Sequence, residues 1–224
     1  MDTSELIVNE RKEMNKMDKN WKVFFIPYVQ AMEELKVKLR GIRKQFEQEK
    51  EHAPIEFVTG RIKPLDSIKD KQKRKNFTDD EIEKLEDIVG LRIMCQFVED
   101  IYDVVEILRQ REDIQIVEER DYVTHQKKSG YRSFHLICRY PVQMKDGQKN
   151  ILIEIQIRTL AMNFWATIEH SLNYKYKGEY PPEINNRLIK AAESAFQLDE
   201  EMSQIRSEIK DAQRFYSYRN YDNI

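Results

Sequence analysis

The sequence predicts an α/β (α+β) protein, a mixed β-sheet with helices packed around it and further helices at the N- and C-terminal ends. Three observations lead there. Residues 150–158, Asn-Ile-Leu-Ile-Glu-Ile-Gln-Ile-Arg, alternate strictly. Ile151, Ile153, Ile155 and Ile157 therefore fall on one face of a strand, and Leu152, Glu154, Gln156 and Arg158 on the other. From Trp21, apolar residues recur at Phe25, Tyr28, Met32, Leu35, Leu39, Ile42 and Phe46, the spacing of an amphipathic helix. From Ile184 a stricter four-and-three spacing runs through Leu188, Ala191, Ala195, Leu198, Met202, Ile205, Ile209, Ala212 and Tyr216. That is the 3.5-residue period of a coiled-coil seam.

The elements follow in order. Residues 1–19 lack steady periodicity and are expected to form a mobile polar extension. The first helix starts near Trp21, with Pro27 in its first turn. Residues 47–52 are polar connection. Residues 55–63 read as a strand, and 64–75 as a helix started by proline. Thr78-Asp-Asp-Glu81 is a capping box opening a short helix to Glu86. Residues 91–97 are a strand, 99–111 a helix and 114–123 a strand, followed by a basic, glycine-ended loop. Tyr131–Tyr140 and Asn150–Arg158 form a hairpin-like pair about Lys145-Asp-Gly147. Residues 159–174 are helical. Residues 20–180 are expected to form one domain and 217–224 a tail; 181–216 is read as a C-terminal oligomerisation helix rather than one packed on the N-terminal helix, because so long a seam outruns a small domain's surface.

A chain of 224 residues can bury roughly 70% of its surface. No apolar run approaches the ~18 residues of a membrane helix, which argues for a cytoplasmic protein without a membrane partner. The two cysteines, Cys95 and Cys138, lie in apolar strand-like runs and fit no zinc spacing. With a net charge of −2 the chain is no bulk polycation, but residues 61–75 are strongly basic. That run begins at a strand end beside Gly60, which suits phosphate.

On the second alternating segment, Tyr131, Ser133 and His135 share one face, and Arg132, Phe134 and Leu136 the other. Two strands then present aromatic, imidazole, carboxylate and amide groups to one surface, the furnishing of a ligand site. These residues also carry a resemblance. Ser129-Gly-Tyr-Arg-Ser-Phe-His135, Glu154-Ile-Gln-Ile-Arg-Thr159 and the run 161–175 resemble the synthetase domain of the RelA/SpoT alarmone enzymes. Gly60-Arg-Ile-Lys63 and Glu86-Asp-Ile-Val-Gly-Leu-Arg92 fit the same family, and residues 20–216 most resemble its small, stand-alone RelQ-type members. Five separated motifs in order are far more specific than any one.

The resemblance implies a nucleotidyltransferase-like domain that moves pyrophosphate from ATP to the 3′-hydroxyl of GDP or GTP, releasing AMP, in the bacterial stringent response. It implies Asp87 and Glu154 as catalytic acids that hold Mg²⁺. ATP would meet Arg61, Lys63, Ser67, Lys71, Arg74 and Arg92, with the adenine between the guanidiniums of Arg61 and Arg92. On a helix, residues 67, 71 and 74 share a face, which supports that assignment. GDP or GTP would meet Arg120, Lys127, Tyr131, His135, Gln156 and Asn163, with guanine stacked on Tyr131. A homotetramer is implied, stimulated by its own product in a cleft at Arg40, Phe57, Gly60 and Asn163. No His-Asp dipeptide occurs, so no hydrolase activity is expected. His52, His125 and His170 are read as structural. Phe134 replaces the tyrosine of many relatives, on the face away from Tyr131. The rival reading is an RNA-binding regulator built on the 61–75 run and Tyr131; an RNA regulator of the enzyme also stays open. A coiled-coil scaffold explains only residues 184–216.

Overall fold

The computed structural model describes the backbone of residues 3–176 and 180–221, and the side chains of residues 21–172, 176 and 180–214. Five strands form one sheet: β1 (Phe57–Ile62), β2 (Val89–Cys95), β3 (Gln115–Asp121), β4 (Phe134–Met144) and β5 (Gly147–Thr159). Their spatial order is β1-β2-β5-β4-β3, with β2 and β5 parallel and every other pair antiparallel. The helices are α1 (Thr3–Glu49), α2 (Leu65–Lys75), α3 (Val98–Arg109), α4 (Leu160–Lys175) and α5 (Pro182–Tyr221). A 3₁₀ turn covers Asp79–Lys84, shorter than the helix expected to Glu86; the Glu81 carboxylate accepts from the Thr78 amide at 3.0 Å.

One face of the sheet is the core. Ile151, Ile153, Ile155 and Ile157 are buried on it, as the alternation predicted, with Leu91, Ile93, Leu136 and Cys138. Tyr28, Ala31, Leu35 and Leu39 of α1 and Ile101, Val104 and Leu108 of α3 cover it. Several bounds differ from expectation, two of them with a physical consequence. Helix α1 begins at Thr3, so Pro27 lies inside it; the Phe24 and Tyr28 rings pack 5.2 Å apart across that turn. The side chains of residues 3–20 lie outside the described set, as do residues 222–224 of the tail. Strand β4 starts only at Phe134, because Gly130 turns the chain with a φ of +86°. Ala192 Cβ lies 2.6 Å from where a side chain at Gly130 would begin, so the turn admits only glycine.

Helix α5, about 60 Å long at 1.5 Å per residue, touches its own chain through Ala192, Phe196, Asp199, Ser203 and Arg206. Asp199 accepts from Thr159 Oγ1 at 2.6 Å, and Arg206 donates to the buried Asp100 at 2.9 Å. The seam residues Leu198, Met202, Ile205 and Ile209 stand about 110° around the helix axis from that stripe and are exposed. Ala195 is half-buried beside Trp165, and Tyr216 falls outside the described side chains. Among the described residues no helix is long and apolar enough to cross a membrane.

Candidate active site

The face of the sheet opposite the core carries two cross-strand rows. Register sets Thr59, Arg92, Gln156, His135 and Arg120 opposite one another on β1, β2, β5, β4 and β3. Two residues along, Arg61, Gly90, Glu154, Ile137 and Glu118 form the second row. Arg61 and Arg92 are diagonal neighbours. Burial, then the like charges of Arg158 and Arg61, lower the pKa of Arg92. A pair of crowded guanidiniums favours a π-face or an anion between them.

A closed hydrogen-bond circuit fills the centre. Arg158 Nη2 donates to the Tyr131 hydroxyl and, at 2.6 Å, to Gln156 Oε1. Tyr131 Oη lies 2.8 Å from His135 Nε2, and His135 Nδ1 lies 3.3 Å from Glu154 Oε1. Gln156 Nε2 donates to Glu154 Oε2 at 2.7 Å. One assignment satisfies every link: His135 Nδ1–H donates to Glu154, and Nε2 accepts from Tyr131. Burial lowers the His135 pKa, helped by the Arg158 and Lys127 charges and opposed by Glu154, so the ring is neutral near pH 7. Burial opposes ionisation of Glu154, but the His135 and Gln156 bonds outweigh it and hold the carboxyl below its usual range.

Sequence reasoning passes over Arg158 as a site residue, although the alternation of β5 puts it on the right face. Read alone, an arginine at a strand end is a solvated charge. Here it is 4% exposed, donates also to Ser133 Oγ at 3.2 Å, and sits 5.0 Å from the Tyr131 ring centre. Lys127 Nζ lies 4.9 Å from the same ring and 4.4 Å from that of Tyr122.

Beside this circuit is a second cluster. Lys63 donates to Asp87 Oδ2 at 2.8 Å, and Lys71 Nζ stands 2.8 Å from Oδ1. Burial opposes ionisation of Asp87, but the two ammoniums prevail and depress its pKa. The Lys71 contact is an ion pair without hydrogen-bond alignment, so among the described residues buried Oδ1 has no hydrogen-bond donor. The Asp87 charge in turn opposes ionisation of Glu154, so the two carboxylates sense each other. A carboxylate oxygen held only by an unaligned ion pair, near a second carboxylate, fits a hard divalent cation. Among the described residues no three His, Cys, Asp or Glu side chains form a ready-made metal site. Phosphate oxygens and water would have to complete the coordination shell.

The remaining predicted residues are scattered. Arg120 lies in the first row but is engaged by Glu118 at 2.6 Å and Glu86 at 3.1 Å. Ser67 is half-buried on α2, and Arg74 is exposed. Asn163, on α4, holds a buried Oδ1 with no hydrogen bond among the described residues. Phe57 shares a face of β1 with Arg61, whereas Gly60 points the other way. A Cβ on Gly60 would meet Met32 Cγ at 2.6 Å. Arg40, two turns beyond Met32 on α1, is exposed on that side. A ligand touching Arg40, Phe57 and Gly60 together must straddle the edge of β1.

Known proteins are similar to this chain in sequence and fold. The family model described as "Region found in RelA / SpoT proteins" matches residues 60–179. GTP pyrophosphokinase YjbM of Bacillus subtilis (strain 168) is 58% identical over 89% of this chain and 95% of its own. GTP pyrophosphokinase YwaC of the same organism is 38% identical over 92% and 99%. Small alarmone synthetase 1 from Bacillus subtilis, solved with its product pppGpp, superposes with a TM-score of 0.82 at 59% identity, covering 85% of this chain and 98% of that one. The same enzyme bound to AMPCPP gives 0.77 at 55% identity, over 86% and 99%. With the model spanning the sheet and its site face, and identity running through both flanking helices, the chain belongs to the RelA/SpoT family, among its small alarmone synthetases.

Proposed function

We propose that the protein transfers pyrophosphate from ATP to the 3′-hydroxyl of GDP or GTP, yielding ppGpp or pppGpp and AMP. The observation that supports it most is the juxtaposition of the Lys63–Asp87–Lys71 cluster with the Arg158–Tyr131–His135–Glu154 circuit, a cation-rich half-site beside a base-stacking one. Relatives captured with pppGpp and with AMPCPP accord with the two halves.

Two polyanions must meet. Even unit charges 4 Å apart repel by about 4 kcal/mol at an effective dielectric near 20. Mg²⁺ held by Asp87 and Glu154 would supply charge neutralisation and orientation of the phosphates. ATP phosphates draw Lys63 and Lys71 from Asp87, and Arg74 and Ser67 extend the same face of α2. Adenine lies between Arg61 and Arg92. Guanine stacks on Tyr131, displacing Lys127 toward the acceptor's phosphates, while Arg120 exchanges Glu86 for phosphate. Gln156 and Asn163 meet the acceptor nucleoside, and His135 reaches a phosphate only by giving up one link of the circuit. Glu154, ionised and anchored by His135 and Gln156, accepts the 3′-hydroxyl proton. The freed oxygen bonds to the β-phosphorus of ATP as the bond to the bridging oxygen breaks, and AMP departs with that oxygen.

The exposed seam of α5 and a second exposed stripe on α4, Leu160, Phe164, Ile168 and Leu172, support self-association, in keeping with the homotetramer that the family resemblance implies. Its product would bind across the β1 edge at Arg40, Phe57, Gly60 and Asn163 and favour the active arrangement. The RNA reading is disfavoured as the main role, since a stacking platform does not call for the half-buried Glu154 carboxylate held by His135 and Gln156. Incubation with ATP, GDP and Mg²⁺ tests the assignment. AMP and a 3′-pyrophosphorylated product should appear together, and absence of both from folded protein refutes it.

A further inference from the structure

A cavity of about 530 Å³ lies away from the proposed catalytic face, between α1, α2 and the 3₁₀ turn. That volume falls in the range of small-ligand sites, ~300–1,000 Å³. Its walls divide by chemistry. Trp21 and Phe24 of α1 and Phe77 after α2 supply aromatic surface. Lys69 and Lys73, one turn apart on α2, line it, and their ammonium groups have no hydrogen bond or ion pair among the described residues. Asp80, on the 3₁₀ turn, is a carboxylate on another wall, likewise unengaged among the described residues. The frame is braced: Gln72 donates to Phe77 O at 3.2 Å and to Asp79 at 2.9 Å, tying α2 to the turn. Trp21 packs edge-on to Phe24 at 5.2 Å.

We propose that this cavity binds a planar aromatic anion of the size and charge of a purine nucleoside monophosphate. The ring system stacks against Trp21, Phe24 and Phe77, an arrangement that accepts any flat π-face. The phosphate pairs with Lys69 and Lys73, the two wall cations that no described carboxylate engages. A ring N–H donor meets Asp80, which favours guanine, whose adjacent N–H groups match a carboxylate. Residues 69 and 73 point about 160° away from residue 71 around the helix axis, at 100° per residue. A ligand there therefore grips the side of α2 opposite Lys71, and steadies the helix that presents Lys71 and Arg74 to the ATP phosphates. This coupling, unlike the binding itself, rests on α2 being part of the ATP site.

The probe is guanosine 5′-monophosphate. Stacking on Trp21 should quench tryptophan emission saturably at one ligand per chain. Because the other tryptophan, Trp165, is buried and hydrogen-bonded to Leu188 O, Trp21→Phe should abolish the quench. The pair Lys69→Glu and Lys73→Glu should weaken it at least tenfold, and Tyr131→Ala should leave it unchanged. A signal that survives Trp21→Phe, disappears with Tyr131→Ala, or never saturates overturns the site. For the coupling, calorimetry of AMPCPP with and without the monophosphate should show at least threefold tighter binding, absent in Lys73→Glu. Quenching without that gain leaves the ligand site standing and refutes its influence on α2.

Discussion

Asp199→Asn is expected to stabilise the protein, and to do so more at high pH than at low. Asp199 is 5% exposed, and among the described residues the Thr159 hydroxyl is its one hydrogen-bond donor. Burial raises its carboxyl from 3.8 to about 6, with the Thr159 bond pulling weakly the other way. A raised carboxyl means the native state binds the proton more tightly than the unfolded chain, so stability falls as pH rises from about 4 to about 6. A pKa raised by one pH unit corresponds to about 1.4 kcal/mol of tighter proton binding. The ionised carboxylate therefore costs about 1 kcal/mol at pH 4.5 and about 3 kcal/mol at pH 7.5. Asparagine keeps an oxygen for Thr159 and places N–H where the protonated acid has O–H, but cannot ionise. Urea denaturation of both proteins at the two pH values measures the difference. The advantage of the variant should grow by about 2 kcal/mol from pH 4.5 to pH 7.5. An advantage that is flat with pH, or shrinks, would refute the reasoning.

Glu154→Gln should remove nearly all transfer while leaving the fold intact, since shape is kept and charge is lost; turnover near the wild-type rate would contradict its role. Tyr131→Ala should weaken GDP binding by roughly 1–3 kcal/mol with ATP binding little changed, and calorimetry showing equal losses for both would make Tyr131 merely structural. Arg158→Gln removes a charge that lowers the His135 pKa, so the imidazole titration followed by NMR should move to higher pH; no movement would show that Arg158 does not set this site's electrostatics. Leu198→Asp with Ile205→Asp places two charges in the exposed seam and should yield smaller species by light scattering, with basal synthesis kept and product stimulation lost. Small species that pppGpp still stimulates fully would separate assembly from regulation.

The two faces of β5, the capping box at Thr78 and the helical period of α1 and α5 could be read directly, because side-chain direction in a strand or helix repeats over two to four residues. Motif resemblance added the family and the candidate residues. Neither showed that β5 inserts between β2 and β4. That order alone sets Arg92, Gln156, His135 and Arg120, from four separate strands, into one row.

Arg158 is the clearest case of this division. Local alternation put it on the polar face, but its meaning depends on Tyr131 and Ser133 arriving from the turn before β4 to engage its guanidinium. The same holds for Lys63 and Lys71, which read as solvated cations until the turn before β2 brings Asp87 between them. Strand pairing and burial are non-local. Local period fixes which way a residue points; the packing of distant segments decides what it meets, and with that its charge state and its chemistry.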